Sequence, residues 1–213
     1  MRLLRIDKKS DVIDRFQTFE KLSPLICKNP VCGIFYYQNA AYIMDNVGCC
    51  RIIVRDGRYD NKLYYEFNTE ETKHLNDAVF PKFDTVYDYI FFVRKREMLH
   101  FLNDVNITKR KGVRCSIEFS FREDDITVRA LSKKNEILGE TVIPLYINDR
   151  LRNNINVPVG QKIKLNFQYF LNLCLSIFVE YDIIGMRFND EKEVCVFGKN
   201  FKKPNICYLF KKT

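Results

Sequence analysis

Tyr89-Ile90-Phe91-Phe92-Val93 is a run of β-branched and aromatic residues long enough for one buried strand, and the residues after it change period at once. Met98, Leu99, Leu102 and Val105 recur at the spacing that puts them on one face of a helix, while Arg94, Lys95, Arg96 and Asn103 fall elsewhere. The helix so predicted has an apolar side and a polar, basic side. A turn with Lys109, Arg110 and Lys111 follows, and Gly112 hands the chain to Cys115, Ile117, Phe119 and Phe121, whose period of two is that of a half-buried strand. Strand, helix and then a meander of strands, with no pause between them, predicts an α+β fold in which helices lie against antiparallel sheet.

The same series recurs along the chain. A strand at Arg2 to Ile6 precedes a helix capped by Asp7 or Ser10, with Val12, Ile13, Phe16, Phe19 and Leu22 on its apolar face and Pro24 at its end. Strands are then predicted at Gly33 to Tyr37, Ala41 to Met44 and Arg51 to Arg55, and another at Leu63 to Phe67; Asn68 to Asp77 has no usable period. After the meander at Arg114 to Phe121, Asp125 to Leu131 and Gly139 to Pro144 comes a polar connector, Asn148 to Gly160. Lys162 to Leu165 reads as a strand, Tyr169 to Ile177 as a helix buried on much of its circumference, and Ile183 to Phe188, Glu193 to Phe197 and Asn205 to Phe210 as three closing strands. Ile6 to Arg55, Tyr89 to Pro144 and Lys162 to Phe210 thus read as three copies of one strand-helix-meander unit.

Composition narrows the function classes. The 213 residues, 46% of them hydrophobic, suffice to bury about 70% of the surface the unfolded chain exposes. The first residues, MRLLRIDKKS, lack a long apolar segment, and no run approaches the roughly 18 apolar residues of a membrane span. Eight cysteines without a leader segment therefore imply reduced thiols in a cytoplasm-like compartment. Cys27, Cys32, Cys49 and Cys50 are spaced too widely for a zinc knuckle, and His74 and His100 do not help, so no metal and no cofactor is predicted and the cysteines read as small core hydrophobes. Nor is an enzyme expected: there is no nucleophile elbow, phosphate-cradling glycine loop or HExxH pair, and Asp124-Asp125, Asp182 and Asp190-Glu191 fall in predicted turns where solvated charge is the usual explanation. A formal charge of +8 suggests a polyanionic partner, with nucleic acid the first candidate.

The order Phe80-Pro81, extended linker, strand, basic helix and Lys111-Gly112-Val113-Arg114 resembles the junction between the middle and last domains of the bacterial β sliding clamp family, the replicative processivity ring. Leu165-Asn166-Phe167-Gln168-Tyr169-Phe170-Leu171-Asn172 is similar to that family's Phe-Asn-x-x-Tyr-Leu-Leu-Asp element, with Leu165, Phe170 and Asn172 as departures. Tyr208-Leu209-Phe210 stands where the family has a tyrosine followed by small apolar residues, and Lys211-Lys212-Thr213 replaces a Met-Pro-Met ending. Ala41 to Asn46 resembles the turn of the middle domain, the unit after Gly57 is shortened, and there is no room for the family's first domain. The resemblance implies a DNA-clamp fold with inner helices and outer antiparallel sheets, divided into an abbreviated N-terminal domain at 1-79 and a C-terminal domain at 80-213. It also implies a short, phage-like or mobile-element member acting in DNA replication in a bacterial cytoplasm.

That family places helices around a central hole, so Lys8, Lys9, Arg15, Arg94, Lys95, Arg96, Lys109, Arg110, Lys111, Arg150, Arg152 and Lys162 are the residues implied to meet the phosphates of double-stranded DNA without reading bases. Each is also explained singly as part of a solvated helix face. The positions matching the family's groove for short peptides of a DNA polymerase or clamp loader are Met44, Asn46, Cys49, Pro81, Val86, Leu209 and Phe210, which as plain inter-domain core need no ligand. Edge strands pairing between chains would close a homo-oligomeric ring of two or three copies. The alternatives are a clamp-like interaction protein that has lost the ring and regulates or mimics partners of replication or transcription, and a β-rich nucleic-acid-binding module of other ancestry.

Overall fold

The computed structural model describes residues 33–37, 40–44, 48–53, 63–66, 72–74, 88–108, 114–147, 155–178, 181–188, 193–199 and 206–211. The predicted first strand and helix, at 2–6 and 12–22, lie outside them. Five strands come first: β1 (Gly33–Tyr37), β2 (Ala40–Met44), β3 (Gly48–Ile53), β4 (Leu63–Glu66) and β5 (Thr72–His74). The last was not predicted, because three residues in a polar stretch give no readable period. Then follow β6 (Tyr89–Arg94), helix α1 (Lys95–Thr108), β7 (Cys115–Phe121), β8 (Asp125–Ser132) and β9 (Ile137–Pro144). A second series of the same order closes the chain: β10 (Lys162–Asn166), helix α2 (Phe167–Ser176), β11 (Ile183–Phe188), β12 (Glu193–Lys199) and β13 (Ile206–Lys211).

Among the described residues every strand pairing is antiparallel, in two sheets. Nine strands run in the order β5-β4-β1-β2-β3-β13-β12-β11-β6, and four in the order β10-β7-β8-β9. Each series therefore sends its first strand to the other's meander: β6 pairs with β11, and β10 with β7. Through β3 and β13 the larger sheet also crosses the expected boundary between residues 79 and 80.

The predicted alternation decides which faces are buried. Ile117, Phe119 and Phe121 of β7 stand opposite Ala130, Val128 and Ile126 of β8, and all six are buried. Phe91 of β6 meets Phe121 with ring centroids 4.8 Å apart and Phe188 of β11 at 6.5 Å, so the inner faces of the two sheets share one core. Both helices close it. From α1 come Met98, Phe101, Leu102 and Val105; Phe101 is a core residue that the predicted apolar stripe omitted, while Leu99 is only partly buried. From α2 comes Phe170, whose ring lies 5.7 Å from that of Phe119. Helix α2 begins two residues earlier than predicted because Asn166 Oδ1 accepts the Tyr169 amide at 2.9 Å and caps it. No helix of the described residues is long and apolar enough to cross a membrane.

Candidate nucleic-acid and partner interface

Of the twelve cationic positions singled out above, Arg94, Lys95 and Arg96 are brought together, where β6 ends and α1 begins. Arg94 is exposed, with its guanidinium carbon 5.2 Å from the centre of the Tyr146 ring, a cation–π contact. Arg96, one position into the helix, is also exposed. Lys95 lies between them and behaves differently. Its Nζ donates to the Phe178 carbonyl at 2.8 Å, just past the end of α2, and its backbone N–H donates to the Asp182 carbonyl at 2.8 Å. Partial burial lowers the pKa of this amine, with the nearby Cys174 and Asp182 acting the other way. Lys95 thus ties the start of one helix to the end of the other, where a cation complements the carbonyl end of the helix. The sequence groups Lys95 with Arg94 and Arg96 on the basic side of the helix; in the structure its amine is held by the Phe178 carbonyl.

Arg94, Arg96, Asn103, His100, Tyr146 and Asp182 line a cleft of about 970 Å³ at this end of α1. Tyr146 gave no sequence signal, since it arrives from a connector beyond β9. Its amide donates to the Phe92 carbonyl at 2.7 Å, which holds it against β6.

Lys162 is elsewhere. It opens β10 on the outward face of the four-stranded sheet, with Nζ 3.5 Å from Glu118 Oε1. Glu118 is 6% exposed and is also approached by Lys164 at 3.6 Å and by Arg129 at 3.8 Å, while Arg129 pairs with Glu140. Register makes this cluster, since Lys164, Glu118, Arg129 and Glu140 are directly opposed across four strands. The alternation of β7 predicted that Glu118 faces away from the core; that three cations surround it was not readable without the pairing. Lys8, Lys9, Arg15, Lys109, Arg110, Lys111, Arg150 and Arg152 lie outside the described residues.

Among the groove positions, Asn46, Pro81 and Val86 lie outside the described residues. Backbone register puts the others in order: Met44 is opposite Cys49, Cys49 opposite Leu209, and Leu209 opposite Cys195, one continuous row across β2, β3, β13 and β12. Phe210 belongs to the adjacent row, opposite Gly48 and Val194. The two aromatic and aliphatic positions taken together from the C-terminus are therefore split between neighbouring rows.

A second groove, about 650 Å³, runs between α1 and β9 and is lined by Arg96, His100, Asp104 and Val105 on the helix and by Gly139 and Val142 on the strand. Gly139 is needed there, because a β-carbon at that position would stand 2.8 Å from Val105 Cγ2.

No protein-family model matches the sequence, and no curated protein matches it. Among solved structures the chain is similar to the beta sliding clamp of C. crescentus, crystallised with PEG bound, with a TM-score of 0.60 at 12% sequence identity. The match covers 94% of this chain and 62% of that chain, so the protein spans less than two thirds of the clamp it resembles. At that identity the likeness establishes a clamp-like fold, which among the described residues is mostly antiparallel sheet with two helices.

Proposed function

We propose that this protein is a clamp-like DNA-binding factor, holding duplex DNA through phosphate contacts and tethering a polymerase or another DNA-acting protein. The observation that carries the reading is the likeness of fold over 94% of the chain, which takes in both the N-terminal strands and the two strand-helix-meander series. We read those two series as copies of one unit, each lending its first strand to the other, with an abbreviated further unit before them. On this reading Arg94 and Arg96 approach phosphates from the end of α1, and a short apolar peptide lies along the row of Met44, Cys49 and Leu209. Contacts to phosphate alone leave the protein indifferent to sequence, as a factor that slides must be. No catalytic step is assigned to it.

One observation favours the alternative of a clamp-like interaction protein without a DNA-filled ring. Helix α2 carries no charged residue, and Lys162 is engaged by Glu118, so the described cations are fewer than the resemblance implies. Duplex affinity across a salt series separates the two. The clamp reading expects log affinity to fall linearly with log salt, and Arg94→Glu with Arg96→Glu to reduce that slope by roughly 1.8, about 0.9 for each phosphate contact removed. An unchanged slope, or no binding at low salt, rejects DNA as the ligand of this site and leaves the interaction protein.

A further inference from the structure

We infer, on the reading that the protein binds DNA, that the cleft at the start of α1 takes one unpaired nucleotide of a DNA strand, its base stacked on the pair of Tyr146 and Arg94 and its phosphate on Arg96. The starting observation is a surplus of chemistry. Contacts to a duplex backbone call for cations and small polar donors, and Arg94 and Arg96 meet that need. The cleft, about 970 Å³, is lined as well by Leu99, Ile183 and Tyr146, which phosphates do not require. A concave site of that order, with apolar lining and a few polar groups, suits a ligand of nucleotide size that has a flat apolar face.

Tyr146 is held as a stacking surface. The chain beyond β9 is pinned by successive amides: that of Leu145 donates to the Asp124 carbonyl at 2.9 Å, and that of Tyr146 to the Phe92 carbonyl at 2.7 Å. Leu145 itself is buried, while Tyr146 is half-buried and has the Arg94 guanidinium over its ring. Aromatic rings and guanidinium planes are the surfaces on which unpaired bases stack. A pair already ordered loses little freedom when a base joins it. Ile183 stands opposite Arg94 across the pairing of β11 with β6, and it adds apolar surface beside the guanidinium.

The polar groups are spaced for the rest of a nucleotide. Arg96 and Asn103 are two turns apart on α1, so they share one face and lie roughly 10 Å apart along the axis at a rise of 1.5 Å per residue. That span puts a phosphate at one end and a base edge at the other. Asn103 is exposed, and its amide both donates and accepts, as the edges of bases do. Asp182, also exposed at the cleft, has a carboxylate that accepts from the exocyclic amine of a base and repels a phosphate. A surface for duplex backbone alone has no use for that negative charge.

The test compares three DNAs on the full-length chain by fluorescence anisotropy at one low salt concentration: a blunt duplex, the same duplex with a short single-stranded overhang, and that overhang built from abasic residues, which keep the phosphates and lack the bases. The natural overhang is expected to bind about tenfold tighter than the blunt duplex, and the abasic overhang to lose most of that gain. Tyr146→Phe should keep the gain and Tyr146→Leu should abolish it, with circular dichroism of both variants unchanged. Equal affinity for blunt and overhanging duplex overturns the inference and leaves the clamp reading standing. So does an abasic overhang that binds as well as the natural one, since added phosphates then explain the gain. Free dAMP that binds as tightly as the overhang overturns it too, because the occupant is then a mononucleotide and not a strand. No binding of any of the three DNAs rejects the DNA reading and the inference together.

Discussion

Helices α1 and α2 hold equivalent places in the two series, each between a first strand and a three-strand meander, yet they are built for different work. Of the 14 residues of α1, four are buried, and Arg96, His100, Asn103, Asp104 and Ile107 are exposed. Of the 10 residues of α2, eight are buried; Leu175 alone is exposed. An amphipathic helix supplies the core with one stripe and leaves the rest to solvent or a partner. One that is apolar nearly all round serves packing alone. Topological position therefore does not decide whether a helix here presents charge to a polyanion, and composition does. Of the two described helices, α1 alone carries lysine or arginine, at Lys95 and Arg96 of its first turn.

The largest expected effect tests the packing half of this contrast. Phe170 is fully buried in α2 against Phe119, so Phe170→Ala should cost about 3–5 kcal/mol of stability through lost transfer energy and the cavity left behind. Asn103→Ala on the exposed face of α1 should stay within about 0.5 kcal/mol. Urea unfolding compares them directly. Similar losses in the two variants would mean that α1 is held as tightly all round as α2.

Much of this contrast was legible in the residues themselves. Met98, Leu102 and Val105 stand where the 3.6 period put them, and Ile117, Phe119 and Phe121 where the period of two put them, because both patterns are local. Ile183–Phe188 is a strand with the bounds the sequence predicts, and α2 is as fully buried as its composition implied. What the chain did not disclose depends on partners distant in sequence. Lys95 looks like its neighbours Arg94 and Arg96 until α2 brings the Phe178 carbonyl to it. Lys162 looks like a free cation until β10 pairs with β7 and sets Glu118 beside it. Strand β5 exists because β4 offers it an edge, and its own residues carry no period.

A smaller effect appears at high pH and concerns the interior of α2. Burial of Cys174 pushes its thiol from an ordinary value near 9.0 up to about 12, with Lys95 acting weakly against the shift. Below the ordinary value both the folded and unfolded chains keep this proton. Between the two values the unfolded chain loses it while the folded chain retains it, so stability should fall as pH rises through that window, by up to about 1.4 kcal/mol per pH unit. Cys174→Ala should flatten the alkaline limb of a stability-against-pH curve by that amount. Identical limbs would mean that the thiol reaches solvent in the folded protein.

The smallest effect separates Lys95 from Arg96, neighbours in sequence that the structure sets to different tasks. Lys95→Met removes a donor from the Phe178 carbonyl, which keeps the Tyr181 amide at 3.0 Å, so the loss of stability should be about 1 kcal/mol or less. The salt slope of duplex binding should not move, because the amine is held by a carbonyl at the end of α2. Arg96→Met should do the reverse, leaving stability within about 0.5 kcal/mol and lowering the slope by roughly 0.9. If the two variants lower the slope equally, then the Lys95 amine leaves Phe178 to meet DNA. The link between the helices would then give way on binding, and the division between a packing helix and a charged one would hold only for the free protein.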